Sequence, residues 1–133
     1  REEIRYWDAG APAYRWNQIA PKLISWNKPD VVLRTPSAWM NLAIYDATVL
    51  AWKEKAKYKR KRPHLVDPSI KPMIQAPPTY PHPCEHPLPA APAAAVLAYF
   101  YPKKCDSILK LARDASQSRL DAGVQFPSDL DAG

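Results

Sequence analysis

TPSAWMNLAIYDATVLAWKEKAKYK, residues Thr35 to Lys59, is the stretch that decides the fold. Met40, Ile44, Ala47, Ala51 and Lys55 recur at steps of three or four, which places their side chains on one face of an α-helix. Thr35 suits an N-cap, and Pro36 suits the first helical position, where a missing N–H loses no intrahelical bond. The stretch therefore predicts a helix of about five turns opening at Thr35. Lys55 continues the inward stripe, so its stem is expected to point toward the core, while Lys59 to Lys61 are expected to face solvent.

Working outward, APAYRWNQIAPKLISWN (11–27) predicts a second helix on Trp16, Ile19, Ala20, Leu23 and Ile24, kinked or divided at Pro21. AAPAAAVLAYF (90–100) predicts a third. CDSILKLARDASQS (105–118) predicts a fourth, capped by Asp106 or Ser107, with Ile108, Leu111, Ala112 and Ala115 on one face. No run alternates as a strand does. The expectation is one all-α domain over residues 1–133, a helical bundle with long proline-rich connections, the longest from Arg62 to Pro87. Sixteen prolines against three glycines, seven of them between Pro77 and Pro92, put the irregular backbone there.

A chain of 133 residues, 47% hydrophobic, can bury one real core and not comfortably two. No apolar run approaches the roughly 18 to 20 residues that span a bilayer. The opening REEIRYWDAG has no basic-then-apolar signal layout. Cys84 and Cys105 are compatible with one bridge or none, and their separation fits no paired zinc knuckle.

Charge is concentrated. Seven of the 19 lysines and arginines fall between Lys53 and Arg62, and elsewhere the basic and acidic residues balance, so the net charge of +6 belongs to that one segment. A nucleic-acid groove needs basic groups from several elements with aromatics interleaved, and here the aromatics lie elsewhere. Nucleic acid is not an expected partner. Arg62 precedes a proline, which biases it away from helical dihedrals and turns its guanidinium off the helix end.

Two further stretches carry chemistry. In YPHPCEHP, His82, Cys84, Glu85 and His86 crowd together before a predicted helix; in SRLDAGVQFPSD, Arg119 precedes Gln125 and Asp129. Lys55, Arg62 and Arg119, with backbone donors after His86, suit a tetrahedral oxyanion: guanidinium groups bind its oxygens in pairs and a lysine acts as a point charge.

The spacing is similar to a known signature. Lys55, six residues, then Arg62-Pro63; Pro83-Cys84-Glu85-His86; and Ser118-Arg119, five residues, Gln125, three residues, Asp129 resemble the three-part motif of vanadium-dependent haloperoxidases and type 2 phosphatidic acid phosphatases. The flanking helices resemble those of bacterial vanadium haloperoxidase-like proteins. The resemblance implies an α-helical bundle holding vanadate or phosphate, acting with peroxide and halide or on a phosphate ester, in a secreted or periplasmic setting. It implies that Lys55, Arg62 and Arg119 neutralise the oxyanion, that the backbone at Cys84 and Glu85 donates to it, that His86 is the general acid, and that Asp129 orients the residue at 125.

The chain departs from the motif in three places. Gln125 stands where the family has the histidine that is nucleophile or vanadium ligand, and a carboxamide nitrogen has no free lone pair. Cys84 replaces a serine. Glu85 replaces a small residue and is expected to point away from the anion. The sequence ends at Gly133, where the family continues into another helix, so a piece of a longer domain or a reduced variant is expected, completed by a complementary segment or a second copy. An inactive relative that still binds the oxyanion stays open. So do a zinc or copper site at His82, Cys84 and His86 with His64 or Glu85, and a polyproline-type ligand in APPTYPHPCEHPLPAAP.

Overall fold

The computed structural model describes residues 1–23 and 30–132. Its helices are α1 (Glu2–Asp8), α2 (Tyr14–Leu23), α3 (Asp30–Tyr58), α4 (Pro63–Val66), α5 (Pro87–Phe100), α6 (Cys105–Asp121) and α7 (Pro127–Asp131), with a 3-10 turn at Pro102–Lys104. There are no strands among the described residues, and the fold is all-α, as the periodicity predicts. No helix among them is long and apolar enough to cross a membrane.

α5 lies between α3 and α6 and forms the centre of the core. Its alanines make this possible: Ala90, Ala93 and Ala94 are buried with Leu97, and such small side chains let Met40 and Ile44 of α3 and Ile108 of α6 approach from opposite sides. Trp7 and Trp16 close one end, their rings 5.9 Å apart. α1 packs on α6, and a second cluster of Ile4, Ala122 and Val124, with Ile74 and Ala76 beside it, ties the N-terminus to the proline-rich connection.

Four boundaries differ from expectation. α3 opens at Asp30, upstream of Thr35, so Thr35 is not its N-cap and Pro36 lies inside the helix, where it removes a single ladder bond. Pro21 likewise lies within α2 without dividing it. Ile24, on the face expected of that helix, falls outside the described residues, as does Gly133. α5 begins at Pro87, since a proline at the first position gives up only an N–H that has no intrahelical acceptor. α6 begins at Cys105, preceded by the 3-10 turn; Lys104 holds the cap position and Asp106 lies in the first turn, where it complements the helix dipole. The helix at Glu2–Asp8 has no counterpart among the elements expected from the periodicity.

Gly123 sets the path of the last segment. With φ at +70° it ends α6 in the left-handed conformation that glycine adopts without strain, its N–H donating to the Leu120 carbonyl at 2.8 Å. The chain then turns back, bringing Gln125 and Asp129 over the α3 end.

Candidate functional site: an anion clamp closed by Glu85

Lys55 follows Met40, Ile44 and Ala51 down the buried face of α3, and only 2% of its surface is exposed. Its Nζ donates to Glu85 Oε2 at 2.7 Å and to the Tyr80 carbonyl. Arg62, 3% exposed, leaves the helix end as Pro63 dictates and spreads its fork. Nη2 donates to Glu85 Oε1 at 2.8 Å and to Thr79 Oγ1 at 3.1 Å; Nε donates to the Thr79 carbonyl and Nη1 to the Val124 carbonyl, each at 3.0 Å. One carboxylate thus bridges the two cations, an oxygen to each.

Glu85 points inward, and the expectation that it points away from the anion site is wrong. The reason is electrostatic. Burial by itself would raise its carboxyl, but Lys55 and then Arg62 outweigh burial and hold it below the ordinary value. Two buried cations need a counter-charge, and Glu85, at 2.7 Å from Lys55 and 2.8 Å from Arg62, supplies it.

Arg119, 1% exposed, is held by other groups. Its Nη1 donates to Asp8 Oδ1 at 3.0 Å and its Nη2 to the Ile4 carbonyl at 3.4 Å, both from α1. Its charge still reaches the centre of the site, because with burial it helps push His86 down to about 4. His86 is therefore a neutral imidazole at neutral pH, and its Nδ1 is buried with no hydrogen-bond partner among the described residues.

Of the backbone donors expected before α5, the one at Cys84 is committed elsewhere. The Cys84 N–H donates to the Asp129 carbonyl at 2.9 Å, and the His86 N–H faces the Cys84 thiol. That thiol is fully buried, and burial pushes it up to about 12, so it is a neutral, inert group. It forms no disulfide with Cys105.

Gln125 and Asp129 are in direct contact. With the carboxamide turned to match donors to acceptors, Gln125 accepts from Arg62 Nη1 at 3.2 Å and donates to Asp129 Oδ2 at 3.1 Å and to the Pro81 carbonyl at 3.0 Å. Asp129 Oδ2 also accepts the Phe126 N–H at 2.9 Å. Asp129 Oδ1 is shared by Arg60 Nη1 at 2.7 Å and His82 Nδ1 at 3.2 Å. Arg60, read from sequence as a solvated charge, is a structural partner here, and its guanidinium lies over the Phe126 ring, 4.3 Å from the centroid.

The eight expected residues fall into one neighbourhood with different roles from those anticipated. Lys55, Arg62, Glu85, Gln125 and Asp129 form one connected hydrogen-bonded chain, Cys84 joins it through its backbone, and His86 and Arg119 adjoin it. Sequence reasoning missed Asp8, Thr79, Tyr80 and Arg60, none of which is a position of the motif or lies on a periodic buried face. His82, Cys84 and His86 do not converge on a metal: no group of three His, Cys, Asp or Glu side chains that could hold one occurs among the described residues.

A cavity of about 480 Å³ opens on this cluster. Asp8, Lys55, Thr79, Glu85 and His86 form its polar end, and Ile44, Trp52, Leu88 and Pro89 supply apolar wall. Glu85 and Lys55 line the cavity whereas Arg62 does not, so the carboxylate stands between the open space and the guanidinium.

No family model matches the chain, and no curated protein matches it.

Proposed function

We propose that this chain is an oxyanion-site protein of the vanadium haloperoxidase and acid phosphatase type whose cation clamp holds its own Glu85 in place of an external anion, and that as folded it is a binding protein and not a turnover enzyme. The observation that carries this reading is the bridge itself, Glu85 Oε1 on Arg62 and Oε2 on Lys55.

As arranged, the residues do not fit vanadate or phosphate. The pair of positions that two anion oxygens would take is filled by the Glu85 carboxylate, Arg119 is committed to Asp8, and the Cys84 amide is committed to Asp129. Gln125 offers no lone pair for attack on phosphorus or for a bond to vanadium. No chemical step is therefore assigned to either group. What the residues do is hold charge: Lys55 and Arg62 neutralise one tethered carboxylate, Gln125 keys Arg62 to Asp129, and neutral His86 leaves an unpartnered nitrogen beside the cavity.

An external oxyanion binds only by displacing Glu85, so calorimetric titration with phosphate and with vanadate, on the native chain and on Glu85→Ala, tests the reading. The native chain should bind either anion weakly, and Glu85→Ala should bind at least about tenfold more tightly, since it frees two charge-assisted donors. A folded Glu85→Ala protein that binds neither anion refutes it. So does brisk phosphomonoesterase or bromide-oxidising turnover by the native chain.

A further inference from the structure

Among the described residues, three side-chain donors close on the Glu85 carboxylate. Oε1 accepts from Arg62 Nη2 at 2.8 Å and from Thr79 Oγ1 at 3.3 Å, and Oε2 accepts from Lys55 Nζ at 2.7 Å. The donors are set for a planar group with two oxygens and one carbon substituent. A tetrahedral anion brings further oxygens, and the nearby groups that could meet them are committed, Arg119 Nη1 to Asp8 and the Cys84 N–H to Asp129. Those oxygens would face the Asp8 carboxylate and the apolar wall of the cavity, where an unmet acceptor is costly.

We infer that the external ligand of this clamp is a monocarboxylate with an apolar body, an aryl or alkyl acid whose carboxylate takes the place of the Glu85 carboxylate and whose carbon skeleton lies in the cavity. This rests on the displacement of Glu85 proposed above and names the class of molecule that displaces it. Glu85 is the tethered counterpart of such a ligand, presenting the same two oxygens to Lys55 and Arg62 with its own Cγ as the carbon substituent.

The cavity supplies the rest of the fit. Its volume of about 480 Å³ lies within the roughly 300 to 1,000 Å³ usual for small-molecule sites, and Ile44, Ala51, Trp52, Leu88 and Pro89 give it an apolar wall. Glu85 and Lys55 line it and Arg62 does not, so a carboxylate arriving from the open side meets Lys55 first and the guanidinium behind. Charge favours a single negative group. Lys55, Arg60, Arg62 and Arg119 are paired with Glu85, Asp8 and Asp129, four cations against three carboxylates. One added monoanion brings the cluster to neutrality, whereas a phosphate dianion overshoots it.

Calorimetric titration of the native chain, Glu85→Ala and Trp52→Ala with phenylacetate, acetate, phosphate and 2-phenylethanol tests this. Phenylacetate should bind the native chain at least about tenfold more tightly than acetate or phosphate, because it alone joins a single charge to a ring that the cavity wall buries. The alcohol, with the ring and no charge, should bind at least about tenfold more weakly than the acid. Glu85→Ala should tighten phenylacetate at least about tenfold, and Trp52→Ala, which removes a half-exposed side chain, should narrow the lead over acetate about threefold or more. Acetate, phosphate or the alcohol binding the native chain as tightly as phenylacetate overturns the inference, as does a lead that Trp52→Ala leaves unchanged. If Glu85→Ala tightens phosphate and not phenylacetate, the displacement of Glu85 stands and the ligand class falls; a folded Glu85→Ala chain that binds no anion overturns both. Should Glu85→Ala fail to fold, the order of the four probes on the native chain and on Trp52→Ala decides.

Discussion

Glu85→Ala is the most informative single change, because it removes one carboxylate from two buried cations at once. Lys55 and Arg62 are almost fully enclosed, and removing one partner of a buried ion pair costs about 3 to 5 kcal/mol, since the surviving charge keeps its desolvation penalty. The two cations are not left equally poor. Arg62 retains the Thr79 carbonyl, Thr79 Oγ1, the Val124 carbonyl and the Gln125 carboxamide oxygen, whereas Lys55 retains, among the described residues, only the Tyr80 carbonyl. The loss should therefore fall near the cost of one broken pair, about 3 to 5 kcal/mol, and not twice that. Against a typical domain stability of about 5 to 15 kcal/mol the variant still folds, with a urea midpoint lowered by roughly 2 M for a slope near 2 kcal/mol/M.

Phosphate should then restore what the substitution removed. An anion held at about 100 times its dissociation constant returns about 2.7 kcal/mol. Chloride at matched ionic strength should return little, and phosphate should hardly move the native midpoint. The pH dependence has a defined sign. Glu85 has a lowered folded value, so its contribution is present above the ordinary carboxyl range and is lost as pH falls through that lowered value; the alanine variant lacks this acid-side loss. A cost under about 1 kcal/mol, or equal rescue by phosphate and chloride, would refute the claim that Glu85 is the counter-charge of the clamp.

His86 gives a separate acid-side signature. Burial, with Arg119, lowers it from 6.5 to about 4, so the unfolded chain takes up its proton first, and stability should fall as pH drops from about 6.5 toward 4, by on the order of 3 kcal/mol. Urea melts across that range on His86→Gln should show the slope flattened. Gln125→His restores an imidazole beside Asp129 yet leaves Glu85 in the clamp, so it alone should give no phosphomonoesterase activity; any turnover should require Gln125→His together with Glu85→Ala, read in a side-by-side phosphomonoester assay.

The legible parts of this molecule are those that carry a period. Met40, Ile44, Ala51 and Lys55 share a face because a helix forces them to, and Pro63 diverts Arg62 for an equally local reason, so both buried cations could be found from sequence. Glu85 sits in an irregular loop, where no repeat fixes direction, and its inward turn depends on charges 30 and 23 residues away. Asp8 lies 111 residues from Arg119, and nothing in REEIRYWDAG signals that pairing. Arg60 differs from Lys59 and Lys61 only in being placed by the chain's return through Gly123, a tertiary event that a run of charges does not encode.

The balance of charge explains why the clamp is closed. Three cations with almost no exposure cannot be stable without anions, and a fold can obtain them from a bound ligand or from its own carboxylates. Here Glu85 serves Lys55 and Arg62, and Asp8 serves Arg119. A tethered carboxylate competes at an effective concentration in the millimolar range or above, since no translational freedom is lost when it docks. The apparent affinity for any free oxyanion is then its intrinsic affinity multiplied by the fraction of molecules in which Glu85 has swung out. Glu85 lines the 480 Å³ cavity, so it has somewhere to go without unfolding the loop. On the proposed displacement of Glu85, phosphate should be disfavoured at low concentration and admitted at high concentration, and binding should saturate along a curve that Glu85→Ala shifts to lower concentration without changing its one-to-one stoichiometry.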